Sequence, residues 1–321
     1  MTPPASLTDL AAPAKLNVFL RVVGRRADGY HLLQSLFVLL DWHDTLHLER
    51  RADGQLRRHD LSTPLPQDDL CLRAARALQA ASGTALGVDI SIDKILPSGA
   101  GLGGGSSDAA TVLLGLNRLW GLNWSRQRLI DLSVSLGADI PFFLGGRSAI
   151  VEGIGERLTP VDIRPRRYIV VKPPAGVETR RIFTHPGLAR DSESAIVEGF
   201  LADPVTLDDL LDLTASRPGA DAPAGSAQAN PGGPAWMIND LQPVAQSLEP
   251  QVGEAVAWLV ARWGNGQMTG SGSAVFARET ADNAALMATV DESAAFAELP
   301  LGWAGRCCRS LLHHPLVAWA D

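Results

Sequence analysis

An α+β fold is what this sequence predicts, and three observations carry the prediction. Period-two apolar stretches and amphipathic helical stretches occur together without the strict strand–helix alternation of a parallel sheet. A glycine-rich loop joins one such period-two segment to a long helical one. Across 321 residues, 46% are hydrophobic and 20% charged, which is enough apolar material for a core without a disulfide or metal staple. The length suggests two domains of roughly 150 residues each, divided near residue 163 into 1–163 and 164–321.

The elements follow in chain order. Ala14 to Leu20 alternates, with Leu16, Val18 and Leu20 on one side and Lys15, Asn17 and Phe19 on the other, and reads as a strand. Gly24 to Gly29 is turn-rich and leads through Tyr30 and His31 into an apolar stretch, Leu32 to Leu40. Thr45 to Glu49 reads as a further strand. Asp68 to Ala81 has helical periodicity through Leu70, Ala74, Ala77 and Leu78. Val88, Ile90 and Ile92 alternate and enter the glycine loop. Behind the loop, Ser106 and Ser107 supply N-cap chemistry for a helix whose stripe is Ala109, Val112, Leu113, Leu116 and Trp120, stopped at Gly121. Ser125 to Leu136 is a second helix. Ala149–Val151, Arg167–Val171 and Ala274–Ala277 read as strands, and Val252–Trp263 and Asp282–Val290 as helices. Between Ala215 and Pro234, Pro, Gly, Ala and Ser dominate and no apolar period survives, so a flexible surface insertion is expected there.

A net charge of −7 argues against a nucleic-acid partner, which demands a basic face. It does not argue against a nucleotide, because a local nest of N–H groups holds phosphate on an acidic protein. Three cysteines, Cys71, Cys307 and Cys308, form no disulfide framework and have no zinc spacing. With no secretory leader at Met1–Leu16 and no apolar run of about 20 residues, a reduced cytoplasmic setting without a membrane partner is expected.

The strongest local signal is the loop Pro97-Ser98-Gly99-Ala100-Gly101-Leu102-Gly103-Gly104-Gly105-Ser106-Ser107. Five glycines in the seven positions 99–105 let the backbone approach a ligand closely. The loop lies between a strand and a helix N-terminus, so N–H groups and the positive end of the helix dipole converge on one place, an anion site suited to phosphate. The G-x-G-x-x-G match at Gly99, Gly101 and Gly104 is weak by itself. Helix follows helix before Asp139, unlike a dinucleotide fold, and a Walker loop would need a lysine that is absent here. Lys15 is either a solvated strand residue or a functional cation. Asp139, ahead of Pro141-Phe142-Phe143, is either a helix-start residue or a partly buried base. Tyr30 and His31 are either core or a platform for a base ring.

Taken in order, Pro13-Ala14-Lys15-Leu16-Asn17, Arg26-Ala27-Asp28-Gly29-Tyr30-His31, the glycine loop, Gly137-Ala138-Asp139-Ile140-Pro141 and Thr269-Gly270-Ser271-Gly272 resemble one family. It is the superfamily of kinases named for galactose, homoserine, mevalonate and phosphomevalonate. Within it the likeness is to the branch that phosphorylates a cytidine-diphosphate-linked methylerythritol. The resemblance is dense over 13–161 and 239–277 and loose between, and Ala215–Pro234 has no counterpart in it.

The resemblance implies a two-domain fold, with an N-terminal ATP domain like domain 2 of ribosomal protein S5 and a ferredoxin-like C-terminal part on the substrate side. It implies Asp139 and Lys15 as catalytic residues and Pro97 to Ser107 as the ATP loop. Asn17, Tyr30 and His31 are implied as cytidine or substrate contacts, with Phe183 closing the far side of the base. Magnesium is expected with ATP, held mainly by phosphates and waters, with Ser106 and Ser107 as the only candidate protein oxygens and no dedicated protein metal site. A monomer or weak homodimer is expected. The competing readings are a kinase of another small alcohol of the mevalonate or homoserine type, a non-catalytic RNA-binding module, and a nicotinamide oxidoreductase through the glycine match.

Overall fold

The computed structural model describes residues 3–193, 204–212 and 237–320. Its spine is a long antiparallel pair, β1 (Ser6–Arg25) and β2 (His31–Arg51), closed by the turn at Arg26–Tyr30. β3 (Leu56–Asp60), α1 (Leu70–Ser82) and β4 (Gly87–Asp93) follow, and then α2 (Gly104–Leu119), α3 (Arg126–Ser133) and α4 (Ile140–Gly145). β5 (Ala149–Gly153), β6 (Arg157–Pro160) and β7 (Arg167–Lys172) lead to α5 (Thr179–Thr184) and α6 (Pro204–Asp212). The chain then runs through α7 (Gln242–Leu248), α8 (Pro250–Trp263), β8 (Gln267–Met268), β9 (Val275–Arg278), two helical turns and β10 (Ala304–Leu311).

The strands form one sheet path, β3-β4-β2-β10-β7-β9-β8, with β1 and β5 on β2 and β6 on β5. β2 runs against β1 along its length while its residues also pair in turn with β5, β10 and β4. The link between β2 and β10 is short, Ser310 opposite Leu40 and Leu311 opposite Leu39. Of the pairings between these strands only β3 with β4 is parallel. The content is therefore mixed and mostly antiparallel, as the α+β expectation has it.

Burial explains the layering. Leu113, Leu116 and Phe142 on α2 and α4 pack with Ala74 and Leu78 of α1 against Leu46, Leu48 and Ile90 of the sheet. A second cluster joins Leu16, Val18 and Leu36 to Tyr168, Val170 and Phe276. A third seats Val252, Val256 and Leu259 of α8 on Ile169, Val171 and Val275. Among the described residues no helix is long and apolar enough to cross a membrane.

Several expectations need correction. Leu32–Leu40 and Thr45–Glu49 are one strand, not two, because the chain runs on through a bulge and His43 and Asp44 pair with Pro13 and Ala12 of β1. Phe19 does not share a face with Lys15 and Asn17. The register shifts between Asn17 and Phe19, which puts Phe19 with Leu16 and Val18 and sends Leu20 into the third cluster. Ser106 and Ser107 do not cap α2; Gly103 does, in a left-handed conformation without a side-chain bond, and the two serines lie inside the first turn. β3, β6, β8 and β10 were not foreseen, since their sequences are short or polar. The expected insertion at 215–234 lies outside the described residues.

Candidate active site

The glycine loop is shaped by two close approaches. Gly101 has φ +74° and faces the Thr269 carbonyl so tightly that no Cβ would fit. A Cβ on Gly103, φ +72°, would meet Phe143 Cζ at 2.9 Å and Lys15 Cγ at 3.0 Å. The loop's carbonyls are taken up by protein: Leu102 O accepts from Lys15 N at 2.9 Å, Gly99 O from Ser273 N at 3.2 Å and Ala100 O from Ala274 N at 3.1 Å. Ala100 and Leu102 turn their side chains into the core. The first-turn N–H groups of Gly104, Gly105 and Ser106 have no intrahelical acceptor by the geometry of any helix start, so the loop presents donors. The second glycine turn, Thr269–Gly272, clasps the first.

Lys15 is buried on β1, not solvated. Its ammonium donates to Asn17 Oδ1 at 2.5 Å and lies 3.9 Å from Asp139 Oδ2 and 4.8 Å from the centre of the Phe37 ring. Burial pulls its pKa below the usual lysine value, and the Asp139 charge partly restores it. Asn17 is held from three sides. Its N–H donates to Thr269 Oγ1 at 2.9 Å, its Nδ2 to Ser35 Oγ at 3.0 Å, and Thr269 Oγ1 reaches its Oδ1 at 3.4 Å. Ser35 in turn donates to the Phe19 carbonyl. Asp139 is the N-cap residue of α4 by position, yet its side chain makes no capping bond and stays 34% exposed. Its carboxylate is free to face a ligand.

Both residues line a cavity of about 920 Å³. Lys15, Asp139, Gly101, Gly103 and Ser271 line it, and so do Tyr30, His31, Phe183 and Arg190. Tyr30 is 62% exposed at the rim. The His31 and Phe183 rings stand 5.1 Å apart, tilted by 31°. Thr179 at the start of α5, the helix that carries Phe183, exchanges a hydrogen bond of 2.7 Å with Ser271 of the second glycine turn. Ser106 is partly exposed, whereas Ser107 is fully buried with its hydroxyl unpartnered. Among the described residues no cluster of three His, Cys, Asp or Glu is placed to hold a metal.

Sequence reasoning passed over the other side of the loop. Lys94 bridges Asp44 and Asp108, the latter at 2.6 Å, while Asp44 Oδ1 accepts from the N–H groups of Ile95 and Leu96 at 2.6 and 2.8 Å. Burial pushes the Asp108 carboxyl up to about 8, and neighbouring Asp44 adds to the effect against the pull of Lys94. Asp44 is 50 residues from Lys94 in the chain, so no local motif announces the cluster. Arg190 and the Thr269 hydroxyl were also unmarked as individual residues, although Thr269 lies in a motif already singled out.

A donor loop opening a helix, a buried lysine and an uncapped carboxylate on one cavity define the class of small-molecule kinases, and residues 69–147 match the GHMP kinases N terminal domain. The chain belongs to the 4-diphosphocytidyl-2-C-methyl-D-erythritol kinase family. It is 51% identical over 315 residues to the protein of that name from Methylibium petroleiphilum, covering 98% of each chain. To that from Albidiferax ferrireducens it is 52% identical, over 98% of this chain and 96% of the relative. The structure is similar to a crystal structure of 4-(cytidine 5'-diphospho)-2C-methyl-D-erythritol kinase, with a TM-score of 0.71 at 32% identity, covering 94% and 98%. A homoserine kinase from Cytophaga hutchinsonii shares the fold, with a TM-score of 0.66 at 16% identity, covering 98% and 97%.

Proposed function

We propose that the chain transfers the γ-phosphoryl group of ATP to the tertiary 2-hydroxyl of 4-diphosphocytidyl-2-C-methyl-D-erythritol, giving the 2-phosphate and ADP. The observation that carries this reading is a single cavity lined both by the Lys15–Asp139 pair beside the glycine loop and by the aromatic group of Tyr30, His31 and Phe183. The full-length relatedness to kinases of that name supports it.

In this reading the loop Pro97–Ser107 binds the nucleotide phosphates through its N–H groups. Asp139 accepts the proton of the attacking hydroxyl, a role worth ~10²–10⁴-fold. Lys15, beside Asp139, offsets charge on the phosphoryl group and the nascent alkoxide, supplying the cation that a Walker lysine would give elsewhere. Asn17 holds the Lys15 ammonium in place. Tyr30, His31 and Phe183 surround the cytosine. Ser106, whose side chain is partly exposed, rather than the buried Ser107, would be the protein oxygen for a magnesium ion bound with ATP, which would supply charge neutralisation at the phosphates.

The same reading divides the chain near residue 163, with an S5-like nucleotide part before it and a ferredoxin-like substrate part after it. It makes the protein cytoplasmic, which three unpaired cysteines favour, and a monomer or weak dimer. A coupled ADP-release assay tests the reading directly. The cytidine-diphosphate-linked alcohol should turn over while mevalonate, homoserine and the bare methylerythritol phosphate do not. Preferential turnover of one of those three would replace the proposed substrate.

A further inference from the structure

Arg190 spends its whole guanidinium on the aromatic slot. Its terminal nitrogens donate to three carbonyls of the segment that carries Phe183: Leu188 O at 3.0 Å, Phe183 O at 3.3 Å and His185 O at 2.7 Å. Its Nε donates to His31 Nε2 at 3.2 Å. One side chain therefore ties the strand that begins at His31 to the segment 159 residues away that faces it.

The chemistry of the last contact has a consequence. A guanidinium only donates and keeps its protons at any accessible pH, so Nε2 must offer a lone pair. The ring proton then resides on Nδ1, and the imidazole is neutral. Burial, Arg190 and Arg25 all disfavour the imidazolium, which holds the His31 pKa below the ordinary histidine value. Nδ1–H has no protein acceptor among the described residues, so the ring is a fixed single donor on the cavity wall.

We propose that Arg190 is a positioning residue for base recognition: it fixes His31 as an Nδ1–H donor and ties that ring to the Phe183 wall, so that the slot accepts cytosine and rejects uracil. The proposal rests on the cytidine-linked substrate proposed above. The ring nitrogen N3 of cytosine accepts a hydrogen bond, whereas N3 of uracil carries a proton. A donor that cannot change tautomer pairs with the first and opposes the second, leaving buried polar groups unmatched. A histidine free to exchange its tautomer could serve both bases.

Two measurements test this separately. The first is independent of substrate: long-range proton–nitrogen spectra of protein labelled at its seven histidines, with His31 assigned through His31→Gln. Wild type should show His31 as the neutral Nδ1–H form, and Arg190→Met should release it to the Nε2–H form or a mixture. A wild-type His31 in the Nε2–H or doubly protonated form overturns the proposal, as does an unchanged tautomer in the variant.

The second is kinetic. In Arg190→Met, KM for the cytidine-linked substrate should rise about tenfold and the cytidine-over-uridine ratio of kcat/KM should fall at least ~10-fold, with kcat within about twofold and the KM of ATP unchanged. Equal falls for both bases would make Arg190 merely structural and sink the specificity role. Arg190→Lys keeps a donor-only cation; it should preserve the tautomer and most of the discrimination, and its loss of both would also count against the proposal. A wild type that does not distinguish the bases removes the base-reading half together with the proposed substrate, while the spectra still decide what Arg190 does to His31.

Discussion

Two lysines flank the glycine loop, and they are built for opposite purposes. Lys15 lies against Gly103, with one amide acceptor at 2.5 Å and a carboxylate no nearer than 3.9 Å. Lys94 lies by Gly104 through Asp44 and is closed on two carboxylates, both buried. Burial wins at Lys15 and pulls its pKa down; at Lys94 the two carboxylates win and raise it. The first cluster faces a cavity with unspent hydrogen-bonding capacity. The second staples the entry of the loop, through the Ile95 and Leu96 amides, to Asp108 in the second turn of α2. A buried ion cluster is thus not by itself a sign of chemistry; the sign is a partner left incomplete where a ligand can complete it.

That contrast is sharpest at the carboxylates. Asp139→Asn should lower kcat by ~10²-fold or more with the unfolding curve little changed, since the side chain caps nothing. Lys15→Met should do the same, keeping the stem beside Gly103 while removing the charge. Single-turnover phosphoryl transfer measures both, and near-normal rates would move the reacting centre away from this pair. Next in size, Gly103→Val puts a branched side chain at a positive φ against Phe143 and Lys15, so ATP affinity by calorimetry should fall more than ~10-fold. Unchanged nucleotide affinity would mean that phosphate binds elsewhere.

At Tyr30, which lies exposed on the cavity, the expected effect is milder. Tyr30→Ala removes one stacking face, worth ~1–3 kcal/mol in nucleic-acid sites, and should raise KM for the cytidine-linked substrate roughly tenfold with ATP affinity unchanged. An equal change for both ligands would point to a disturbed fold rather than a lost stack. The smallest effect concerns stability at the second lysine. The folded state holds a proton on Asp108 up to about pH 8, which the unfolded chain, with an ordinary value near 3.8, has already released. Stability from this group is therefore full below the unfolded value and is lost as pH rises towards 8. Asp108→Asn cannot release that proton, so its Tm relative to wild type should climb by a few degrees between pH 5 and pH 8.5. A difference that stays flat with pH would show Asp108 to be ionised throughout, with Lys94 paired to two charged carboxylates at every pH tested.

Much of this molecule is legible in one dimension. The helices around Leu70–Ser82, Gly104–Leu119 and Pro250–Trp263 announce themselves by apolar stripes, and the strand at Gly87–Asp93 by strict alternation. The glycine loop needed no tertiary information, because left-handed backbone at Gly101 and Gly103 restricts the residue type itself. Period-two reasoning failed at Phe19, since a bulge shifts the alternation and leaves no mark on composition. It also failed for Ala304–Leu311, a strand fixed by its pairing with Arg167–Lys172 rather than by its own side chains.

The sequence by itself determined which residue types were available: a lysine in a strand, an aspartate before a proline, a loop of glycines and a Tyr-His pair after a turn. Those are local properties, set by sterics and by the chemistry of neighbouring side chains. Only the tertiary structure decided that Lys15 is buried and stands 3.9 Å from Asp139, that Lys94 is spent on Asp44 and Asp108, and that Arg190 reaches His31. These partners lie 14 to 159 residues apart, the two extremes being Lys94 with Asp108 and Arg190 with His31. Ionisation and hydrogen-bond direction depend on distance and burial in space, quantities that no spacing along the chain encodes.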